Sequence, residues 1–511
     1  MSRSARTGVK LFARSKILAS APREWLSPSF ARGASTSTRP WSTPLAKGIA
    51  EAIAVTGPIS LASYMRQCLT SPDGGYYTTR SPSRDQFGAT GDFVTSPEIS
   101  QIFGELVGIW MVTEWLAQGR KAAGVQVIEV GPGRGTLMDD MLRTVVNFRG
   151  LASAVEQVYL VEASSALRET QKQLLCGGEP FEEVKDGFRC KSKYHKLPIT
   201  WYEDIRYVPN EPSKTPFIVA HEFFDALPIH AFQSVALAPS SSILTTPTGR
   251  LPLSQSALQS KTAHWRELLV SPTSPPSVLN PKPATDLLPP EFQPSVAKTS
   301  TPPSLLLPTL SSRYRALLPQ IGSVIEISPE SHSYVAEFAR RIGGAMPTPG
   351  SSITAQEQIS KPEPSGAALI LDYGPLDIIP ANTLRGIRSH KQTSPFSSPG
   401  LVDLSADVDF TALAEAAIGA SEGIEVHGPV EQGYWLESVG IRERAHILSK
   451  AIDKGATEGS EEKKRGINQS VERLVERGGG GMGRIYKAMA IVPEGDGKRR
   501  PVGFGGHVQN P

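Results

Sequence analysis

The chain has 511 residues, enough for a large buried core, with a net charge of +3 and a high content of proline (43) and glycine (46). This near-neutral balance gives no overall electrostatic footprint for nucleic acid. Cys68, Cys176 and Cys190 are widely spaced, without a C-x-x-C pair, which argues against a disulfide framework and supplies no metal-binding signature.

Between Met1 and Lys47, nine basic residues face a single acid, Glu24, in a run rich in Arg, Ser and Ala. Val9, Phe12, Ala13 and Ile17 form a rough apolar face. Residues 1–47 therefore read as a mitochondrial transit peptide and disordered leader; the apolar core of a secretory signal is missing. No run approaches the roughly 18 apolar residues that a membrane span needs.

Residues 48–120 read as an N-terminal helical and lid segment, with ordered structure starting near Pro58. Ser96 is placed to cap a helix with Pro97 in its first position. Ile99, Ile102, Phe103, Leu106, Ile109 and Trp110 then share one face. Packing accounts for that helix but not for the polar run GDFVTSPE that leads into it.

Residues 121–493 carry the core. VQVIEV (125–130), QVYLVEAS (157–164), PITWYEDI (198–205), PFIVAHEFFDALP (216–228) and GAALILDYGP (366–375) are near-continuous apolar runs ending in polar residues. Such runs suit parallel strands buried on both faces. Helical spacing follows the first run, at Leu137, Met138, Met141, Leu142 and Val145, and returns over Ser328 to Ile342. The alternation predicts an α/β fold, an open, mostly parallel, Rossmann-like sheet with helices on both faces. Ser-, Pro- and charge-rich inserts at about 236–310, 345–364 and 456–481, and the tail 494–511, are expected to be disordered surface chain; HWRELLV (264–270) alternates enough to be a strand.

The sharpest feature is EVGPGRG, from Glu129 to Gly135. Gly131 suits a tight turn, Gly133 leaves room for a ligand, and Gly135 lets the next helix pack closely or bind through its first amides. A glycine loop alone is weak evidence. Dinucleotide loops read G-x-G-x-x-G, with an acid about 20 residues further on. Here the spacing is one residue shorter and Pro132 stiffens it.

This shorter loop, with Glu129 before it, resembles motif I of class I S-adenosylmethionine-dependent methyltransferases. The resemblance implies that Glu162, after the second strand, accepts hydrogen bonds from the cofactor ribose. Asp204, after the third, would meet the adenine amino group, with Glu203 the second choice. Any one of these acids alone reads equally as a helix cap or a solvated charge.

GYYTTR, GDFVTSPEISQIFGE, EVGPGRGTLMDDML, HEFFDALPIHAFQ, LDYG, LRGIRSHK, DLSADVDF and EQGYWLESVGI together resemble the MidA-like methyltransferases, in that family's order. Departures are His221, where asparagine is usual, and DLSADVDF for DLTADVDF. The resemblance implies a seven-stranded core with added substrate-facing elements, closed over the cofactor by GDFVTSPE, which contains Gly91 and Asp92. It also implies a mitochondrial matrix protein-arginine methyltransferase that uses S-adenosyl-L-methionine on a complex I core subunit and supports complex I assembly.

Arginine chemistry sets a demand on the site. Neutralising a free guanidinium near pH 7.5 costs about 7–9 kcal/mol, so carboxylates must orient the nitrogen and take the proton as the new bond forms. Glu222 and Asp225, at the end of the fourth strand, are the expected catalytic pair; the alternative is that they cap the turn before Pro228. Asp92 and Glu98 are placed to shape the lid or bind the substrate arginine, Arg388 and His390 to meet a partner protein or to stand as solvated loop residues, and Asp372 and Tyr373 to line the pocket or simply to form a strand-end turn. Three readings compete: a non-catalytic assembly factor that keeps the fold, a small-molecule methyltransferase and a nicotinamide dehydrogenase.

Overall fold

Valine, isoleucine and leucine fill the central strands because both faces of the sheet are covered. In the computed structural model, which describes residues 40–79, 92, 94–237, 243–246, 249–252, 262–273, 290–344, 361, 363–455 and 459–505, the main sheet has nine strands. They are β1 (Val125–Val130), β2 (Val155–Val161), β3 (Glu182–Val184), β4 (Gly187–Lys191), β5 (Pro198–Tyr202), β6 (Thr215–His221), β7 (Ala367–Tyr373), β8 (Ile424–Glu431) and β9 (Tyr486–Pro493). Their order across the sheet is β8-β9-β7-β6-β1-β2-β5-β4-β3. From β7 to β5 every pairing is parallel. Strand β9 runs antiparallel to both of its neighbours.

Seven strands were expected and nine are present: the hairpin β3–β4 extends the sheet beyond β5. It carries short, mostly exposed residues, which is why it left no buried apolar run to read.

Successive side chains of each strand point to opposite faces. Val127, Val158, Leu160, Val219 and Leu369 therefore join one core with the helices Gln101–Ala117, Thr136–Val145 and Ser460–Val475. Ile128, Val161, Ile218, Ala220 and Ile370 join the other, with Pro329–Gly343 and Phe410–Ala420. A five-stranded sheet and a three-stranded one stand beside this framework. The five-stranded sheet is covered by helices Pro44–Thr56 and Leu61–Thr70.

Several sequence expectations shift. Among the described residues the first helix starts with Pro44 under a Thr43 cap, ahead of the start expected near Pro58, and it takes in the last residues of the leader expected over 1–47; residues 1–39 lie outside the described residues. Thr95, not Ser96, is the cap before Pro97, in a capping box with Glu98; Ser100 then restarts the helix. The expected strand at 264–270 is present as Thr262–Pro272, and Phe292–Val296 and the helix Pro302–Leu306 also fall inside the insert expected at 236–310. Of the insert expected at 345–364, nearly all lies outside the described residues.

Residues 460–475, expected to be disordered, form a helix. Three apolar residues, Val471, Leu474 and Val475, suffice because their spacing puts them on one buried face.

The expected disordered tail also packs. Phe504 is buried, the Trp110 indole donates to the Val502 carbonyl at 3.2 Å, and Arg499 makes two bonds, 3.0 and 2.6 Å, to the fully buried Glu114. Arg499→Ala leaves that carboxylate without its countercharge. Breaking a buried pair from one side costs about 3–5 kcal/mol, and the half-exposed arginine places the expected loss in thermal or denaturant unfolding at the lower end, about 3 kcal/mol.

Candidate functional site

A cavity of about 280 Å³ opens at the carboxyl ends of the parallel strands, where ligands of open α/β sheets bind. Each strand end contributes to it: Glu129 and Gly131 from β1, Glu162 after β2, Glu203 after β5, His221 and Glu222 from β6, and Tyr373 from β7. Tyr77, Thr78, Thr95 and Glu98 close one side, and Asp403 and Ser405 another.

The glycine loop is shaped as its residues require. Gly131, Gly133 and Gly135 all have positive φ, at 66°, 52° and 85°. A Cβ on Gly131 would lie 2.6 Å from the Phe223 ring, so only glycine fits the turn. Gly135 caps the helix Thr136–Val145, whose first amides face the cavity side of the loop.

Glu162 is held from two directions. The Ser164 amide donates to one oxygen at 2.8 Å and the Gln171 amide to the other at 3.2 Å. Gln171, wholly buried, also donates to the Gly133 carbonyl at 2.7 Å and accepts from the Trp201 indole at 2.9 Å. One side chain thus locks the loop to the acid. Gln171 was not singled out in the sequence, because it sits mid-helix with no motif around it.

Glu222 follows β6 with φ of 49°, a left-handed conformation that few side chains other than glycine adopt. Its backbone amide bonds the Leu371 carbonyl at 2.9 Å, and the Asp372 carboxylate takes the next two amides, of Phe223 and Phe224, at 3.1 and 2.8 Å. Asp372 is therefore a brace for this turn and does not line the cavity, whereas Tyr373 does. His221 Nε2 stands 3.4 Å from Glu222, but burial lowers the imidazole to about 3, so the pair carries no ionic attraction. Glu222 Oε1, Glu129 Oε2 and His221 Nε2 are buried without a hydrogen-bond partner among the described residues.

Asp225 and Asp403 complete an acidic wall with Glu222. The Tyr77 hydroxyl donates to Asp403 at 2.9 Å, and the Ser164 hydroxyl donates to the Tyr77 carbonyl at 2.7 Å. Asp403 and Ser405 belong to DLSADVDF and Tyr77 to GYYTTR, so recurrence of those segments was the signal available for them.

Two expected cofactor residues are not brought here. Asp204 turns away, caps the short turn Ile205–Tyr207 through the Arg206 amide and pairs with the Arg206 guanidinium at 2.8 Å; it lines a separate groove. The neighbouring Glu203 lines the cavity instead and pairs with Arg168 at 3.0 Å. Asp92 is buried below the lid, accepting from the Tyr76 hydroxyl at 2.8 Å and the Ser389 amide at 2.7 Å, so it anchors the Arg385–Thr393 hairpin rather than lining the cavity. Gly91 lies outside the described residues.

The S-adenosyl-L-methionine-dependent methyltransferase family model matches residues 106–430, a span that holds the glycine loop and every carboxylate of the cavity except Glu98. The chain belongs to the MidA-like family of S-adenosylmethionine-dependent methyltransferases. This methyltransferase is 35% identical to the protein arginine methyltransferase NDUFAF7, mitochondrial, of Danio rerio, over 80% of this chain and 79% of the relative. It is 34% identical to the Homo sapiens protein of the same name, over 84% and 80%. Its fold is similar to a protein from Burkholderia thailandensis solved with S-adenosyl-homocysteine bound, at a TM-score of 0.57 and 19% identity, with 90% of this chain and 92% of that one aligned.

The methyltransferase's residues fit its cofactor, S-adenosylmethionine. The unpartnered buried oxygen of Glu129 calls for a cation or donors, and the ligand carries an ammonium at its amino-acid end.

Burial raises Glu129 to about 8, Glu162 and Asp403 to about 7 and Asp225 to about 6, with repulsion from Glu162 adding to Glu129 and repulsion from Asp225 adding to Asp403. These folded-state values lie above those of an unfolded chain. The stability they confer is therefore full below the ordinary carboxylate range and is lost as pH rises through about 6–8. The ligand-free methyltransferase is expected to melt at a lower temperature at pH 8 than at pH 6, and saturating S-adenosylmethionine to narrow that gap. Thermal unfolding with and without ligand checks both.

Proposed function

We propose that this methyltransferase transfers a methyl group to an arginine side chain of a protein, a complex I core subunit in the mitochondrial matrix, and thereby supports complex I assembly. The observation that carries the reading is the buried acidic wall of Glu222, Asp225 and Asp403, with a Glu222 oxygen left without a partner. An apolar or neutral substrate would leave these groups uncompensated, whereas a guanidinium supplies a positive charge and a planar set of donors. The relatives' names, protein arginine methyltransferase and mitochondrial, support the substrate class and the compartment.

The bound cofactor supplies an electrophilic methyl group. Every other part is this chain's own. Glu129 and the amides after Gly135 hold the amino-acid end of the ligand, and Glu162 takes the ribose hydroxyls. Glu222 orients the attacking nitrogen and receives its proton as the bond forms, which avoids the roughly 7–9 kcal/mol of prior neutralisation. Asp225 and Asp403 hold the remaining guanidinium edge. Burial and repulsion from Asp225 and Asp372 raise the Glu222 carboxyl above the ordinary carboxylate range, and the bound guanidinium opposes that shift and favours the anion that takes the proton.

The test is to incubate the protein with labelled S-adenosylmethionine and mitochondrial extract from cells that lack it, then map the label. Label on an arginine of a complex I subunit is expected. Label on a lysine or a lipid, or none despite cofactor binding, would overturn the reading.

A further inference from the structure

The loop before β9 is a second, oppositely charged surface. A groove of about 440 Å³ is lined by Arg473, Arg477, Gly478–Gly481, Met482, Arg484 and Ile485, with no carboxylate in its wall. Arg477 is fixed by Glu431 at 2.5 Å and lies 4.5 Å from the centre of the Tyr434 ring. Arg473 and Arg484 are exposed and make no ion pair among the described residues. The nearby Glu476 carboxylate accepts from the Gly478 amide at 2.6 Å and Glu472 pairs with Arg442 at 2.8 Å, and neither lines the groove. Four glycines leave the groove floor open to backbone contact.

This groove adjoins the acidic cavity. The Ile485 carbonyl accepts from the Gly374 amide at 3.4 Å, and the next residue, Tyr486, bonds through its hydroxyl to Tyr373, a cavity residue. A cation-seeking pocket thus has a carboxylate-seeking rim, half-exposed Ile485 and Tyr434 adding apolar contact. Guanidinium forks pair with carboxylates bidentately.

We infer that Arg473, Arg477 and Arg484 dock an acidic stretch of the polypeptide whose arginine enters the cavity, an inference that rests on the arginine-transfer reading. The rim selects the substrate by its flanking sequence, while the cavity selects the residue type. Binding weakens with added salt, as for other exposed charge pairs.

Two peptides of equal length test this, each with one arginine, one flanked by glutamates and the other by glutamines. Their binding to the full chain is read by fluorescence anisotropy, and their methylation by steady-state kinetics. In the Arg473→Glu, Arg484→Glu double variant, KM for the acidic peptide is expected to rise by roughly tenfold or more, with kcat and S-adenosylmethionine affinity unchanged. The neutral peptide is expected to be indifferent. The milder Arg473→Gln, Arg484→Gln pair, whose melting temperature guards against misfolding, is expected to fall between. Equal KM for both peptides, or no response to either double variant, overturns the docking surface and leaves the arginine reading intact. Arginine-dependent binding of the acidic peptide with no methylation does the reverse. If the variants lose only inorganic phosphate or RNA and not the peptide, the groove is an anion site of another kind and the inference fails.

Discussion

Glu222→Gln is expected to cut methyl transfer to the arginine substrate by roughly 10²–10⁴-fold, the range for a lost general base, while S-adenosylmethionine affinity stays within a few-fold. The substitution keeps the shape and length of the side chain, and its backbone demand is the same left-handed turn. The Asp372 brace on the following amides does not involve the Glu222 side chain, so the fold should survive. What is removed is the negative charge facing the guanidinium and the means to accept its proton. Single-turnover transfer and calorimetry, run side by side, separate the two effects. Full transfer by the glutamine variant would return Glu222 to the status of a turn residue before Pro228.

The second large effect belongs to Glu162→Ala. Affinity for S-adenosyl-homocysteine, measured by calorimetry, is expected to fall by about 100-fold, which is about 2.7 kcal/mol. The loss has two sources. The hydrogen bonds proposed to the ribose disappear, and the Ser164 and Gln171 amides that held the carboxylate are left without an acceptor. An orphaned buried donor costs about 1–3 kcal/mol, so the variant should also melt earlier. Glu162→Gln retains one acceptor oxygen and is expected to lose less. Unchanged affinity in the alanine variant would mean that the carboxylate only caps the helix Ser165–Cys176.

The framework was legible because its signal is local. Each of the five parallel strands announces itself as an apolar run, and the glycine loop and Glu162 lie within a few residues of strand ends. The errors have equally local causes. Glu203 and Asp204 are adjacent acids after the last residue of β5, and the chain turns between them. Arg206, two residues on, claims Asp204, leaving Glu203 on the cavity side. Spacing alone does not settle which of two neighbours faces inward once the strand has ended.

The far side of the site was illegible for another reason. Gln171, Asp403 and Tyr486 reach the glycine loop or its cavity only through the fold, from up to 355 positions away along the chain from Gly131. Composition misled twice near the C-terminus: the helix Ser460–Val475 and the tail through Phe504 are rich in charge and glycine, yet a few well-spaced apolar contacts hold each.

The last strand to be made, β9, lies between β7 and β8 and not at an edge. Synthesis delivers the chain from its N-terminus, so the glycine loop, Glu162 and Glu222 are all present before Tyr486 arrives. Until β9 slots into place, β7 has an open flank, β8 has no partner in the sheet and the wall behind Tyr373 is unfinished. The cavity wall is thus closed by the strand made last, and loss of the residues from Tyr486 onward is expected to silence methyl transfer although every glycine of the loop remains.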